Sequence, residues 1–228
     1  MNVTSDAPSW KINLGRTSGF WGDAAWYDHN IERKLPLTKD LLEECVCSLP
    51  PCSGAQVLDL CAGSGRVSFA IASAYPTVKL TLLERSAERL ELAKARLAIV
   101  PRVSETVEVC CSLNVSELDG TKKLPSTPDK GFDVIVAMLA LRHIVQPPEH
   151  YGGKSDPLDA KDIEDRYKKV FSTVLASLAP GGTFIIGDHE GLLSCFNHSL
   201  LLHELGFIDV DVAWRQRDFF LVGGCRPN

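Results

Sequence analysis

The stretch VLDLCAGSGRVS, residues 57–68, constrains the fold more than any other part of the chain. Its apolar start predicts a short buried strand, and the glycine-rich turn leads directly into a helix. Gly63 and Gly65 permit a tight turn and a close approach to the backbone that a side chain would block. A strand, a glycine loop and a helix in this order predict one unit of an α/β sheet whose ligand lies beyond the carboxyl end of the strand.

The rest of the chain continues this alternation of apolar strands and amphipathic helices. Strands are predicted at residues 57–60, 78–84, 107–113, 132–139 and 183–188, helices at 37–49, 67–74, 159–178 and 193–205, with another helix after the second strand and a final pair of strands joined by a turn at 215–218. Apolar strands separated by helices form parallel sheets that are covered on both faces. The predicted fold is therefore α/β: a Rossmann-like, doubly wound, mostly parallel seven-stranded sheet with a C-terminal antiparallel hairpin.

The N-terminal residues differ from this pattern. They are rich in glycine and carry Trp10, Trp21, Trp26 and Tyr27, without a clean helical or strand period. We therefore expect a covering segment instead of a core element. On this basis the chain divides into an aromatic-rich cap, residues 1–35, and one α/β domain, residues 36–228.

Composition and charge argue against several classes of protein. The 228 residues carry a formal net charge of −5, whereas proteins that grip phosphate backbones present basic faces. No apolar run approaches the roughly 20 residues of a membrane helix, and the N-terminus does not resemble a secretory signal. The cluster Cys45, Cys47 and Cys52 lacks a second half of Cys or His ligands, so we expect thiols in a reducing cytoplasm and no metal.

Polar residues follow the predicted strands at the edge where a ligand is expected. Asp59 belongs to the first strand, Glu84 ends the second about twenty residues past the glycines, and Asn114 follows the third. An acid at the second position accepts hydrogen bonds from ribose hydroxyls, and an amide can pair with the edge of adenine. Glu84 and Asn114 together predict a nucleoside-containing ligand.

Asp59 favours one of two kinds of nucleoside ligand. A pyrophosphate favours the positive N-terminus of a helix, and a neighbouring carboxylate would repel it. A ligand with a cationic amine beside its sugar suits Asp59 better. Ser68 is a small residue at the place of the third glycine of the dinucleotide fingerprint, so a nicotinamide or flavin nucleotide stays formally open.

At this point the chain resembles a known family. VLDLCAGSG, LLE, FDVIVAMLALRHI and LAPGGTFIIGDH, in this order, look like the class I S-adenosylmethionine-dependent methyltransferases over residues 55–226. The resemblance implies that Asp59 holds the methionine amino group, that Glu84 holds the ribose and that Asn114 contacts adenine. It also implies that Ala137, Met138 and Leu139 border the methionine moiety of the cofactor, S-adenosylmethionine.

Two features depart from the family pattern. Cys61 stands where the family often has its first glycine, and the segment at residues 146–162 is longer than usual and could form a lid or a substrate loop.

The residues expected to contact the cofactor are Asp59, Cys61, Gly63, Gly65, Glu84, Arg85, Asn114, Met138 and Tyr27.

Methyl transfer from a sulfonium depends chiefly on holding acceptor and methyl in line, and a base helps when the acceptor carries a proton. His143, after the fourth strand, is the first candidate base, and His189, after the fifth, is the second.

No Asn/Asp-Pro-Pro-aromatic motif follows the fourth strand, which disfavours methylation of exocyclic amines of nucleic acids and of glutamine. We expect a small-molecule O, N or S acceptor and no membrane or nucleic-acid partner, and the oligomeric state stays open. A methyltransferase of tRNA or protein, and a non-catalytic partner subunit, stay open as alternatives.

Overall fold

The computed structural model describes residues 23–101, 105–111, 113–114, 117–146 and 158–228. Most of the predicted cap, including Trp10 and Trp21, and most of the long segment after the fourth strand lie outside the described residues. No helix in the described parts of the chain combines the length and the hydrophobicity that crossing a bilayer requires.

Within the described residues, seven strands form one sheet in the order β3-β2-β1-β4-β5-β7-β6. In chain order they are β1 (Gln56–Leu60), β2 (Lys79–Glu84), β3 (Glu105–Cys110), β4 (Phe132–Met138), β5 (Leu178–His189), β6 (Ile208–Gln216) and β7 (Phe219–Cys225). Strands β1 to β5 are parallel, and β7 runs antiparallel to both of its neighbours. The predicted fold class is confirmed.

The helices cover both faces of this sheet. They are α1 (Ala24–Lys34), α2 (Thr38–Cys47), α3 (Arg66–Ala74), α4 (Ala87–Leu97), α5 (Leu141–Val145), α6 (Ala160–Ser177) and α7 (Cys195–Glu204). Buried residues of α2, α3 and α4 belong to the apolar cluster on one face, and those of α5, α6 and α7 belong to the cluster on the other face. The sheet is therefore wound on both sides, as the alternating pattern predicts.

Strand β1 shows why these residues form a central strand. Leu58 and Leu60 lie in one apolar cluster and Val57 lies in the other, because successive side chains point to opposite faces. A strand buried on both faces must be almost continuously apolar, and Asp59 is the exception. Because β1 pairs with β2 on one side and β4 on the other, it borders the point where the strand order reverses and ligands bind.

Two predicted strands have different bounds in the structure. The third was expected at residues 107–113, but β3 ends at Cys110, because its pairing with β2 stops where Glu84 meets Cys110. The fifth was expected to begin at residue 183, after a glycine break, but β5 begins at Leu178. At the glycines the pairing of β5 with β4 shifts register, and Gly181 N–H instead donates to Arg226 O at 3.0 Å while Gly182 O accepts from Arg226 N–H at 2.8 Å.

Helix α1 is absent from the sequence prediction, which expected no regular element up to about residue 30. Asp23 caps its first turn by accepting a hydrogen bond from Trp26 N–H at 2.7 Å, and Arg33 and Lys34 lie in the last turn. A carboxylate at the N-terminus and cations at the C-terminus both favour a helix. These end signals, not apolar periodicity, were the available evidence for α1.

Candidate functional site

The loop after β1 has the glycine-dependent conformation that its sequence predicts. Gly63 and Gly65 have φ angles of 56° and 73°, in the left-handed region that favours glycine. A Cβ on Gly65 would lie 2.7 Å from Ala93 Cβ of α4, whereas a Cβ on Gly63 would meet nothing within 4 Å. Gly65 thus allows two helices to pack closely, and Gly63 faces open space at the edge of the sheet.

Cys61 occupies the same loop in an unusual conformation. Its φ angle is 60°, a conformation that costs a residue with a side chain about 1–2 kcal/mol. Burial raises the pKa of the thiol, and the negative charges of Glu84 and Asp59 raise it further. Cys61 therefore presents a neutral thiol to the loop, not a thiolate nucleophile.

Glu84 ends β2 and reaches across to the glycine loop. Its side chain is buried, and its Oε2 accepts a hydrogen bond from Gly63 N–H at 2.9 Å while Oε1 accepts from Ser86 N–H at 3.0 Å. A carboxylate oxygen accepts more than one hydrogen bond. Glu84 is therefore fixed in orientation and retains acceptor capacity for hydroxyl groups.

Asp59 is almost completely buried in β1. Its side chain is only 1% exposed, and its Oδ2 accepts a hydrogen bond from Ser68 Oγ at 2.6 Å. Burial raises the pKa of Asp59 to about 7, the charge of Glu84 adds to this rise, and the bond from Ser68 opposes it. Asp59 can therefore change protonation near neutral pH, and its contact with an ammonium stays a prediction.

Ser68 is a residue whose function the sequence reasoning missed. It was interpreted only as a small residue in place of a third glycine, yet it is fully buried and supplies the hydroxyl that Asp59 accepts. No spacing rule links an acid in a strand to a serine nine residues later. Only the packing of α3 against β1 brings the two together.

Two further predicted cofactor residues lie at the outer side of this edge. Arg85 follows Glu84 and is exposed, and Asn114 is exposed, with its amide donating to Glu117 Oε1 at 3.3 Å. Both follow the carboxyl ends of their strands, Arg85 after β2 and Asn114 after β3. Their contacts with a ribose or an adenine stay predictions.

Tyr27 of α1 lies at the edge of the cleft. The guanidinium carbon of Arg89 lies 4.8 Å from the centre of its ring, and Tyr27 packs against the cluster of Ile31 and Leu35. Burial raises the pKa of Tyr27 to about 12, against the opposing charge of Arg89. In this structure the π-face of Tyr27 meets a cation of the chain itself.

The segment after β4 is shaped by close packing. A Cβ on Gly187 of β5 would lie 2.7 Å from Met138 Sδ, so the glycine makes room for the methionine side chain. Leu139 has a φ angle of 55°, and its N–H donates to Gly187 O at 2.7 Å. Met138 is half-buried at the cleft, next to the strand that carries the glycine loop.

His143 lies in the short helix α5 and is half-buried. Burial lowers the pKa of its imidazole to about 3, and the positive charges of Arg89 and Arg85 lower it further. The ring is therefore uncharged at neutral pH and is a weak proton acceptor. It can still form a hydrogen bond with a substrate, and its role as a base stays a prediction.

His189, the second candidate base, is packed at the end of β5. It is 5% exposed, its Nδ1 donates to Glu190 O at 3.0 Å, and its ring lies edge-on to Phe219. Its Nε2 is 4.0 Å from Asp188 Oδ1, too far for a hydrogen bond. These contacts hold the ring in one orientation, and its catalytic role also stays a prediction.

Among the residues that the structure describes, no group of three or more His, Cys, Asp or Glu side chains is arranged to hold a metal ion. In the cluster first considered from the sequence, Cys45 and Cys52 are buried and Cys47 is exposed, and all three are free thiols. The candidate site thus consists of the glycine loop, two acids and the groups after β4 and β5.

Comparison with known proteins identifies the family and the fold of the chain. Residues 52–205 match the sequence profile of a family described as a methyltransferase domain. The fold is similar to the S-adenosylmethionine-dependent methyltransferase SibL in its apo form, with 16% identity, 92% of this chain and 60% of that chain covered, and a TM-score of 0.54. It is also similar to an O-methyltransferase family protein from Burkholderia thailandensis, with 14% identity, 90% and 60% covered and a TM-score of 0.59.

A third similar structure is PigF with SAH, with 17% identity, 98% of this chain and 64% of that chain covered and a TM-score of 0.58. The chain therefore spans less than two thirds of the length of these three proteins. No curated protein matches the chain.

Proposed function

Because this chain belongs to the class I S-adenosylmethionine-dependent methyltransferases, whose domain profile matches more than half of it, we propose that it transfers a methyl group to an oxygen, nitrogen or sulfur atom of a small molecule. S-adenosylmethionine is the cofactor of this family. The observation that carries the proposal is the buried Glu84 carboxylate, which is hydrogen-bonded across the glycine loop at the switch point of the sheet.

The residues at this edge fit the cofactor in chemistry. Gly63 leaves open space in front of the loop, and Glu84 retains acceptor capacity for the two ribose hydroxyls. Asp59 lies one strand away from Glu84 and places a second acid at the same edge. Two acids suit a donor with an ammonium and a sulfonium, and they would repel the pyrophosphate of a dinucleotide.

When it is bound, S-adenosylmethionine supplies an electrophilic methyl group. The chain would contribute mainly by holding the acceptor in line with the methyl group. In favourable cases such positioning lowers the activation barrier by up to about 7–11 kcal/mol. The neutral imidazole of His143 can accept a hydrogen bond from an acceptor hydroxyl or amine and so orient its lone pair. With a pKa of about 3, His143 aids deprotonation less than a base poised near neutrality would.

The small-molecule acceptor is supported by charge and by similarity. The formal net charge of −5 disfavours a nucleic-acid substrate. An O-methyltransferase family protein is among the structures of similar fold, which favours an oxygen acceptor within the proposed range. A cytoplasmic location is part of the same proposal, because the cysteines whose side chains are described are free thiols, as in a reducing compartment.

The test has two steps. Titration calorimetry with S-adenosylhomocysteine and with NAD measures which nucleoside ligand the chain binds, and we expect binding of the former alone. Incubation with isotopically labelled S-adenosylmethionine and a cell extract, followed by mass spectrometry, then identifies the labelled product. Label in a metabolite of low mass supports the proposal; label only in RNA or protein, or none despite donor binding, overturns it.

A further inference from the structure

Helix α1 lies against both sides of the cleft. Leu139, which follows β4, packs against Ile31 and Leu35 at the end of this helix. On the other side, Asp28 contacts Ser64 of the glycine loop, which follows β1. Because β1 and β4 are neighbours at the switch point, α1 bridges the two segments between which ligands bind in folds of this kind.

Asp28 is the centre of the contact with the glycine loop. Its Oδ1 accepts a hydrogen bond from Ser64 Oγ, and its Oδ2 lies 2.5 Å from Arg96 Nη2 of α4. Arg66, the first residue of α3, places its Nε 3.4 Å from Asp28 Oδ1. One carboxylate thus connects the glycine loop with the two helices that flank it.

The two arginines close this network. Arg96 Nη1 donates to Ser64 O and to Ser64 Oγ, the latter at 3.0 Å. Arg66 Nη2 donates to Asp28 O at 3.3 Å, and its Nη1 pairs with Glu32 Oε1 at 2.9 Å, one turn further along α1. Ser64, between the two glycines, is therefore held through its hydroxyl and its carbonyl at once.

The side chain of Asp28 is only 18% exposed, so water screens this network less than it screens a surface ion pair. Burial alone would raise the pKa of Asp28, but the hydrogen bonds from Ser64 and Arg96 outweigh it and hold the pKa below its usual range. The carboxylate is consequently ionised at neutral pH, and this charged form makes the ion pairs with Arg66 and Arg96.

We infer that Asp28 is a positioning residue: it holds the glycine loop in the conformation that receives S-adenosylmethionine, and it thereby couples the placement of α1 to donor affinity. The inference rests on the proposed function only in taking the glycine loop as the donor site. When only a fraction of the molecules has the loop in the competent form, the apparent affinity is the intrinsic affinity multiplied by that fraction. A smaller competent fraction therefore gives weaker binding.

The first test compares two Asp→Asn variants on the same helix. Asp28→Asn removes the charge shared with Arg66 and Arg96, and we expect it to raise the dissociation constant for S-adenosylhomocysteine about tenfold, equivalent to about 1.4 kcal/mol. Asp23→Asn is the matched control, because asparagine is an equally good helix cap and Asp23 makes no contact with the loop in the described contacts. Its dissociation constant should stay within twofold of wild type.

Calorimetry uses the full chain without a methyl acceptor, so it separates this inference from the proposed function. If wild type does not bind S-adenosylhomocysteine, the donor assignment is wrong. If wild type binds and Asp28→Asn binds equally well, the positioning role is wrong. With an acceptor available, the Michaelis constant for the donor should rise in Asp28→Asn while kcat stays within twofold.

A purely structural role would lower the melting temperature but leave the donor-induced rise in melting temperature unchanged. We expect that rise to shrink in Asp28→Asn and to persist in Asp23→Asn. Ser64→Ala provides a second variant should Asp28→Asn fold poorly, with the same predicted loss of donor affinity. In the double variant the two losses should be less than additive, because both act through one network; full additivity would contradict the inference.

Discussion

The two halves of the cleft are built in different ways. On the side of β1 and β2, polar groups are held by hydrogen bonds, as Glu84 is by the N–H groups of Gly63 and Ser86. On the side of β4 and β5, groups are held by packing: Met138 fills the space above Gly187, and His143 is half-buried and uncharged. A charged nucleoside donor needs fixed polar partners, whereas an acceptor pocket can be shaped by contact. We therefore expect the first half, the donor half, to hold the nucleoside of the donor, and the second, the acceptor half, to shape the acceptor pocket, with Met138 bordering the methionine end of the donor between them.

The largest expected effect is at the centre of the donor half. Glu84→Gln replaces an acceptor by an NH₂ group that faces the N–H of Gly63 or of Ser86, and it weakens the bonds to the ribose hydroxyls. Hydrogen bonds to charged groups contribute about 1.5–3 kcal/mol, so we expect about a 100-fold loss of affinity for S-adenosylhomocysteine. Titration calorimetry measures it.

Glu88→Gln is the control for that change, because Glu88 is an exposed acid in the first turn of α4. It should bind the donor like wild type. Equal affinities in the two variants would remove Glu84 from the donor site and with it the main distinction between the two halves.

The two glycines of the loop provide the next test, within the donor half itself. Gly65→Ala both strains a left-handed residue and forces a methyl group against Ala93, whereas Gly63→Ala only strains the backbone. We expect Gly65→Ala to lower the free energy of unfolding by about 2–4 kcal/mol and Gly63→Ala by about 1–2 kcal/mol. Urea denaturation decides, and a larger loss at Gly63 would refute the assigned packing role of Gly65.

In the acceptor half, His143→Ala should lower turnover about tenfold while donor affinity changes less than twofold, because His143 is expected to face the acceptor. Since its pKa is about 3, ionisation of His143 should give no inflection in kcat/KM between pH 5 and 8. Steady-state kinetics at several pH values measures both. His203→Ala, an exposed histidine of α7, is the control, and unchanged turnover in His143→Ala would exclude it from catalysis.

The smallest expected effect concerns Asp59, whose pKa of about 7 lies above that of an ordinary aspartate. A nearby donor ammonium favours the ionised form, so binding should release a proton near pH 6, and affinity should rise several-fold from pH 6 to pH 8. By the same linkage, the stability that Asp59 contributes to the donor-free chain should be fully present below about pH 4 and be lost as the pH rises through 7.

Calorimetry of wild type in buffers of different ionisation enthalpy measures this proton release. Asp59→Asn should abolish it, and proton release that persists in the variant would assign the effect to another group.

The fold and part of the donor half were predictable because their signals are local. A strand, a glycine turn and a helix follow one another in the chain, and Glu84 stands at the end of the next strand, where the pattern places it. Helix α1 was missed because the signals for it are the capping residue at its start and the basic residues in its last turn, not an apolar period. The bounds of β3 were wrong because its pairing with β2 sets them. The partners of the loop, Asp28 and Arg96, lie 36 and 32 residues from Ser64 in sequence.

The sequence by itself determined the alternation of strands and helices, the glycine turn and the acid that follows β2, because hydrophobic period and backbone freedom are properties of neighbouring residues. Only the tertiary structure decided that Ser68 holds Asp59, that Asp28 holds the glycine loop and that His143 is neutral. Hydrogen bonds between distant residues and the burial that shifts a pKa exist only after the chain has packed, so no local pattern encodes them.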